Sequence, residues 1–479
     1  MFILPLNKHA KIFHEGYSYN YHKTTKNFKR YKCKLYNAEK CPVILKYYNE
    51  NDYTLENTPH IHPINPHEYQ IENAISTMKR KAFETNQNTC QIYAEEMSKL
   101  SPESRKRLPN EESIKRTLRN RKIKRFPPIP ATLEELSISE EWATTGSPTN
   151  ERFLLHDNGG DSNERIIIFA TDYMLKMLAE TKTWYIDGNF KLAPHLFLQL
   201  YVIRIPFKTL FITAAYFLLQ RKTYTTYEEI FKILLEKAQE RNLVIDPITI
   251  YMDFEKAAIN AVENTLGRDI NIQGCFYHLT QSTHRKIQEL GLESSYRNDP
   301  VLCLFAAMID GLAFLPIHDV KRGMEYLKTI VSDENKELLF YFDKNYVNGE
   351  LRHGKNSQRQ VEPLFPPETW NVFNVTIAGE NRTNNVCEGW NNRFKHIVGN
   401  KKPKIWELLE KIRMEIAVDM GKIGQWNIGT YTPKKNRIYA TKQTILKNLC
   451  IDYLEERRDL PNFLSSIGEH IRSRIVSFE

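Results

Sequence analysis

The segment from about residue 165 to residue 290 constrains the fold most, because its apolar runs are short and closely spaced. Residues 165–170, 183–191, 196–204 and 211–220 are rich in β-branched and aromatic residues and are separated by turn-forming residues, which predicts strands. The first reads as a flanking element and the other three as an antiparallel meander. Residues 226–241 then follow a helical pattern, and 248–251 form a short strand that ends at Met252-Asp253. A helix over 255–266, a strand over 271–276 and a helix from His278 complete the order. Three strands followed by alternating helices and strands predict a mixed α/β sheet covered by helices.

Two acids stand out on that sheet. Asp187 lies inside the apolar run Trp184-Tyr-Ile-Asp-Gly-Asn-Phe, and Asp253 closes the strand after the first long helix. A carboxylate in a strand core is costly unless it is paired or bound to a metal. Placed at one edge of neighbouring strands, the two can share divalent ions, with Gly188 leaving room beside the first. Holding two ions takes a third carboxylate, and Glu388 in Asn381-Arg-Thr-Asn-Asn-Val-Cys-Glu-Gly-Trp is the candidate. Thr383 or Asn384 would cap its helix, with Trp390, Phe394 and Ile397 on the apolar side and Asn384, Asn385, Asn391 and Asn392 around the acid. Cys275 and His278 have three open readings: zinc ligation with two remote residues, hydrogen bonding near a phosphate, or packing of a strand-to-helix junction. A site-supporting role is preferred, because two residues do not complete a tetrahedral site.

The N-terminal part follows different rules. Residues 12–62 are dense in Tyr, Lys and Cys and poor in aliphatic periodicity, with strands expected at 16–22, 28–35, 43–48 and 52–56. Cys33 and Cys41 are followed by His60 and His62 in a Pro-rich segment. Two thiolates and two imidazoles suit Zn²⁺, and such a clip supplies folding energy that a unit of this size lacks. Seven residues separate the thiolates, so ordinary burial of the cysteines remains the alternative. Lys23, Lys26, Lys29, Arg30, Lys32 and Lys34 make the module basic. Beyond it, 67–97 reads as one or two amphipathic helices. A further helix then carries Lys115, Arg116, Arg119, Arg121, Lys122, Lys124 and Arg125 before Pro127-Pro128. That run is either a phosphate-contacting surface or a solvated basic face serving as a nuclear import signal.

Composition agrees with a polyanionic partner. The 479 residues contain 67 Lys and Arg against 58 Asp and Glu, a formal charge of +9. Seven Cys, with charged and His residues near the start, point to a reducing intracellular setting. No apolar run reaches the length of a membrane span, since 196–219 is broken by Gln199, Arg204, Pro206 and Lys208.

Two resemblances sharpen these readings. Gly16, the aromatics from Tyr17 to Tyr21, Tyr31-Lys-Cys33, Cys41-Pro42 and His60-Ile-His62 resemble a FLYWCH zinc finger, with Tyr31 where that family usually carries Trp. Tyr185-Ile-Asp187-Gly188-Asn-Phe190, Asp253-Phe-Glu-Lys-Ala-Ala-Ile-Asn260, Cys275-Phe-Tyr-His278 with Gln281, and Arg382-Thr-Asn-Asn-Val-Cys-Glu388 resemble the transposase domain of Mutator-like elements. The resemblance implies an RNase H-like, retroviral-integrase-like α/β core with a helical insertion, preceded by a small β-rich zinc finger and a helical connector. Its Asp-Asp-Glu triad would be Asp187, Asp253 and Glu388, using two Mg²⁺ or Mn²⁺ ions beside a structural Zn²⁺.

The expected organisation is a finger at 1–66, a basic DNA-binding connector at 67–130, and core segments at 150–295 and 376–420 flanking an insertion at 296–375. A helical tail follows at 421–479. The implied activity is cleavage of transposon ends and strand transfer in the nucleus, by a dimer or larger assembly on double-stranded terminal-repeat and target DNA, without a membrane. The alternative is a domesticated DNA-binding regulator with little or no catalysis.

Overall fold

In the computed structural model the chain is described over residues 2–4, 10–49, 52–85, 87–353, 358–379, 385–431 and 437–475. It divides into two compact units, residues 1–128 and 129–479.

The first unit opens with six strands paired antiparallel in chain order: β1 (Phe2–Leu4), β2 (Lys11–His14), β3 (Tyr17–Thr24), β4 (Lys29–Cys33), β5 (Ile44–Asn49) and β6 (Asp52–Glu56). The four expected strands are present within a few residues. β1 and β2 are additional, too short for their alternation to stand out. The sheet encloses only a small core of Ile12, Tyr19, Tyr31, Cys33, Cys41, Val43 and Leu45. Four helices follow, α1 (Glu68–Glu84), α2 (Thr89–Ser98), α3 (Pro102–Lys106) and α4 (Glu111–Ile123). Asn88, Ser101 and Asn110 cap the last three. Their shared core is Ala74, Met78, Ala82, Ile92, Leu100, Ile114 and Leu118. Lys11 ties sheet to helix by a 2.8 Å contact with Glu72.

The second unit is built on a seven-stranded mixed sheet. Its elements run β7 (Leu154–Asp157), β8 (Ile166–Phe169), α5 (Asp172–Glu180), β9 (Thr183–Asn189), β10 (Gln199–Phe207), β11 (Leu210–Leu219), α6 (Tyr224–Gln239), β12 (Thr249–Met252), α7 (Lys256–Thr265), β13 (Asn271–Gly274) and α8 (Phe276–Glu289). The order across the sheet is β13-β12-β9-β10-β11-β8-β7. β9, β10 and β11 form the antiparallel meander, while β12 and β13 join the free side of β9 in parallel. This is the RNase H-like arrangement, extended at one edge by β8 and β7. α5 was not anticipated, although Thr171 caps it and Met174, Leu175, Met177 and Leu178 bury one face.

Mostly helical structure completes the unit: α9 (Glu293–Asn298), α10 (Pro300–Gly311), α11 (Val320–Ile330), α12 (Lys336–Phe342), a hairpin of β14 (Glu350–His353) and β15 (Gln358–Val361), α13 (Pro367–Trp370), α14 (Phe373–Ala378), α15 (Asn385–Val398), α16 (Ile405–Asn427), α17 (Arg437–Leu454) and α18 (Leu460–Ile475). The hairpin occupies a stretch whose polar composition predicts a loop. α16 runs past the expected end at residue 420. The C-terminal helices are part of the core rather than an appended tail, with Leu449, Phe463, Leu464 and Ile467 buried in the same cluster as Phe305 and Ile309 of α10. No helix among the described residues is long and apolar enough to cross a membrane.

Asp310, on α10, is the unusual group in this core. It is buried, and Thr283 Oγ1 donates to its Oδ1 at 2.6 Å. Burial raises its carboxyl to about 7, against the smaller opposing effect of the Thr283 hydrogen bond. A carboxyl whose folded pKa exceeds its unfolded value stabilises fully at pH below the unfolded pKa, and that contribution is lost as pH rises through about 7. Asp310→Asn should therefore match the wild type in unfolding free energy at pH 4 and exceed it by roughly 2–4 kcal/mol at pH 8. Urea unfolding at the two pH values checks this.

Candidate active site and zinc centre

The sheet register brings two acids side by side. β12 pairs in parallel with β9 so that Tyr251 faces Tyr185, and two residues further along each chain stand Asp253 and Asp187. They lie at the carboxyl ends of parallel strands, where the sheet changes from parallel to antiparallel pairing, the usual place for a ligand crevice in an open α/β sheet. Alternation sends Trp184 and Ile186 into the main core and Tyr185 to the opposite face, with Asp187. Asp187 is 5% exposed. A Cβ on Gly188 would come within 2.6 Å of Gln199 Oε1, so a larger residue there would crowd the site.

Helix α15 covers this face. Cys387 packs with Tyr185 and Tyr251, whose rings are stacked at 4.7 Å, and Trp390 and Phe394 continue the apolar stripe. The other side of α15 turns Glu388 and Asn391 toward the acids. Asn391 Nδ2 donates to Asp187 Oδ2, and Asn189 Nδ2 donates to Asn391 Oδ1 at 3.1 Å. Arg204 of β10 is buried against the helix start, donating to Val386 O at 3.2 Å and Phe211 O at 2.6 Å. Its guanidinium lies 5.7 Å from the Trp390 ring. The fully buried Glu415 of α16 accepts from Trp390 Nε1 at 2.9 Å and from Arg393.

All three carboxylates line one cleft of about 590 Å³. They do not converge as a single ligand set. Asp187 and Asp253 group with His278, and Glu388 groups with Cys275 and His278, each group within 4.8 Å. Cys275 Sγ lies 3.7 Å from Glu388 Oε1. His278 Nδ1 sits 2.5 Å from Asp253 Oδ1, without hydrogen-bond alignment. Burial opposes its positive charge, but Asp253 and Cys275 more than offset this and push it up to about 12. Asp187 is raised, first by burial and then by Asp253, against the opposing effects of His278 and Asn391.

Sequence reasoning missed other cleft residues. Glu255, Lys222, Tyr277 and Arg285 line it. Glu255 immediately precedes α7, and Arg285 lies two turns after His278 on α8, a spacing that helical periodicity could have flagged. Asn384 falls outside the described residues, as do Thr383 and the side chain of Asn385. His284 does not line the cleft and stands 3.2 Å from Glu293.

In the first unit Cys33, Cys41, His60 and His62 come within 4.8 Å of one another. Cys33 Sγ is 3.2 Å from His62 Nε2, and Cys41 Sγ is 3.2 Å from His60 Nδ1. Each imidazole uses its other nitrogen elsewhere. His60 Nε2 meets Tyr19 OH at 2.8 Å, and His62 Nδ1 meets Pro63 O at 3.1 Å. This is the outer support that metal-binding histidines have. Tyr17 stacks on His60 at 3.6 Å. Burial and then His62 lower His60 to about 4, keeping it neutral for ligation, and the cluster could hold a structural Zn²⁺.

The basic residues are divided in their surroundings. Arg116, Arg119 and Lys124 are exposed, as is Lys29. Lys115 pairs with Glu111, Lys122 donates to Gln87 O, Arg121 stands 5.5 Å from the Phe83 ring, Arg125 stands 5.1 Å from the Phe126 ring, and Lys32 stands 3.9 Å from the Tyr36 ring. Arg30 is half-buried between β3 and β5.

Zinc analysis of the purified chain should give one equivalent, reduced to near zero in Cys33→Ser. The first unit of that variant should be cleaved by protease at low enzyme ratios, because metal binding and folding are coupled in so small a core. Equal metal content in both proteins would contradict the assignment.

Residues 2–62 match the FLYWCH zinc finger domain family. Residues 183–282 match the MULE transposase domain family, a span that includes Asp187, Asp253, Cys275 and His278 and stops before Glu388. No curated protein matches the sequence. The chain therefore contains an N-terminal FLYWCH zinc finger domain and a MULE transposase domain.

Proposed function

We propose that the chain is a DNA transposase of the Mutator-like class, which binds transposon ends and carries out metal-dependent cleavage and strand transfer at the cleft holding Asp187, Asp253 and Glu388. The observation that carries this reading is the meeting of Asp187 and Asp253 at the ends of adjacent parallel strands inside the matched transposase domain, with Glu388 lining the same cleft. Paired carboxylates of this kind suit a hard divalent cation, with the His278 nitrogen beside them. Asp187 and Asp253 would hold Mg²⁺ or Mn²⁺, with Glu388 as the third carboxylate. Such ions, when bound, would supply Lewis-acid polarisation of the scissile phosphate and of a water molecule.

The protein's own groups have separate tasks. Asn391 orients Asp187 and leaves its second oxygen for a ligand. His278 shares Asp253 and must release Oδ1 before that oxygen can ligate a metal. Lys222 and Arg285 place positive charge where phosphates would enter. The zinc finger and the exposed Arg116, Arg119 and Lys124 of the helical connector supply binding to double-stranded terminal-repeat and target DNA, and joining two ends requires a dimer or larger assembly, in the nucleus.

A second reading, a domesticated DNA-binding protein with little or no catalysis, is favoured by one feature. Glu388 stands with Cys275 and His278 rather than with both aspartates.

The test is incubation of the purified chain with candidate terminal-repeat DNA and a target duplex in Mg²⁺ or Mn²⁺, beside Asp187→Asn and Glu388→Gln. The transposase reading expects cleaved and joined products that fall about a thousandfold or more in both variants, the loss of several kcal/mol of transition-state stabilisation. Specific binding without either product supports the second reading.

A further inference from the structure

Phosphate chemistry accounts for the carboxylates of the cleft but not for its aromatic wall. The partly exposed rings of Phe254, Tyr277 and Tyr341 line it together with the buried rings of Tyr346 and Phe365. Phe254, Phe365, Tyr346 and Tyr341 form a continuous series starting at Phe254, the residue after Asp253, while the Tyr277 ring lies 5.5 Å from that of His278. Phe254 lies 5.1 Å from Phe365 and 5.8 Å from Tyr346, and Tyr341 lies 6.2 Å from Tyr346. Two features hold them in place. Tyr346 OH is 2.7 Å from Ser282 Oγ. A Cβ on Gly274 would fall 2.4 Å from the Phe254 ring, so the absence of a side chain there is what lets this ring lie over the end of β13.

A cleft of about 590 Å³ is in the range of sites that enclose a small organic molecule. Its lining combines aromatic rings, carboxylates and the cations Lys222 and Arg285, and Lys286 Nζ stands 5.4 Å from the Tyr341 ring. Bases in a duplex present no free face to such rings. A base that has left its stack does, and enzymes working on DNA use aromatic surfaces to receive one.

We propose that the wall of Phe254, Tyr277 and Tyr341 is a binding site for an unpaired nucleobase, which holds the nucleotide next to the scissile phosphate out of the helix while Lys222 and Arg285 meet its flanking phosphates. The proposal rests on the reading that this cleft works on DNA. The unpaired base registers the strand against Asp187 and Asp253, and DNA already frayed at that position binds more tightly because its unstacking cost is absent.

The experiment uses the full chain with two DNAs of one sequence, a blunt duplex and a forked duplex with 5-iodouracil in its unpaired arm. After irradiation the crosslinked peptides are mapped, affinities for both DNAs are measured, and cutting is assayed in parallel. Crosslinks should fall on Phe254, Tyr277 or Tyr341. The wild type should prefer the fork by about fivefold or more, as one base–aromatic stack allows. Tyr341→Ala should lose most of that preference, and Tyr341→Phe should keep it. Crosslinks confined to residues outside the cleft, or equal affinity for the two DNAs, overturn the proposal. Crosslinking in the cleft without cutting leaves the base site standing and removes the transposase chemistry. Cutting without such crosslinks does the reverse.

Discussion

Two carboxylates at the ends of neighbouring parallel strands create the electrostatic problem around which the second unit is arranged. Asp187 and Asp253 have ligand oxygens within 4.8 Å of each other, and Asp187 is almost wholly buried. At that separation two like charges repel by roughly 3–4 kcal/mol at an effective dielectric of about 20, before any desolvation cost. The amide of Asn391 returns about half of that, since a hydrogen bond to a charged group contributes about 1.5–3 kcal/mol. A neutral donor is therefore too weak, so the balance falls to a proton on Asp187, which burial and Asp253 favour, or to positive charge beside the pair, where His278 stands. In the proposed reaction a divalent ion would supply that charge.

The position of α15 depends on a second set of buried charges. Arg204 bonds the start of the helix through Val386 O, and Glu415 fixes Trp390 from the far side. Asp419, one turn after Glu415, accepts from Thr213 N of β11 at 3.1 Å and pairs with Lys422. Burying so many ionised groups is weak as a source of stability, because desolvation cancels much of the attraction. It is effective at specifying one seating of α15, since any slip would leave a buried charge without its partner. The seating matters because Asn391 and Glu388 reach the cleft only when the Cys387 and Trp390 stripe faces Tyr185 and Tyr251.

Much of this was legible in the sequence, for identifiable reasons. The strands of the mixed sheet are apolar on both faces and bounded by turns, so their existence followed from hydrophobic runs, and Asp187 stood out as a charge where none should be. Cys33, Cys41, His60 and His62 were readable as a set from their residue types, although the unusual spacing left ordinary burial open, and the fold brings them within 4.8 Å of one another. What escaped had no local signature. β1 and β2 are short, the β14–β15 hairpin is too polar to reveal its alternation, and α5 follows β8 after only two residues. The grouping of Glu388 with Cys275 depends on helix docking through Arg204 and Glu415, contacts between residues far apart in the chain. The aromatic wall likewise joins residues 254, 277 and 341, which no spacing rule connects.

In the proposed function a divalent cation would match the charge of Asp187 beside Asp253. Thermal unfolding of zinc-loaded protein with and without Mn²⁺, for the wild type and Asp187→Asn, tests it most directly. Mn²⁺ should raise the wild-type melting temperature, and Asp187→Asn should be more stable than the wild type without Mn²⁺ and insensitive to the ion. Equal responses in the two proteins, or none in either, would contradict it.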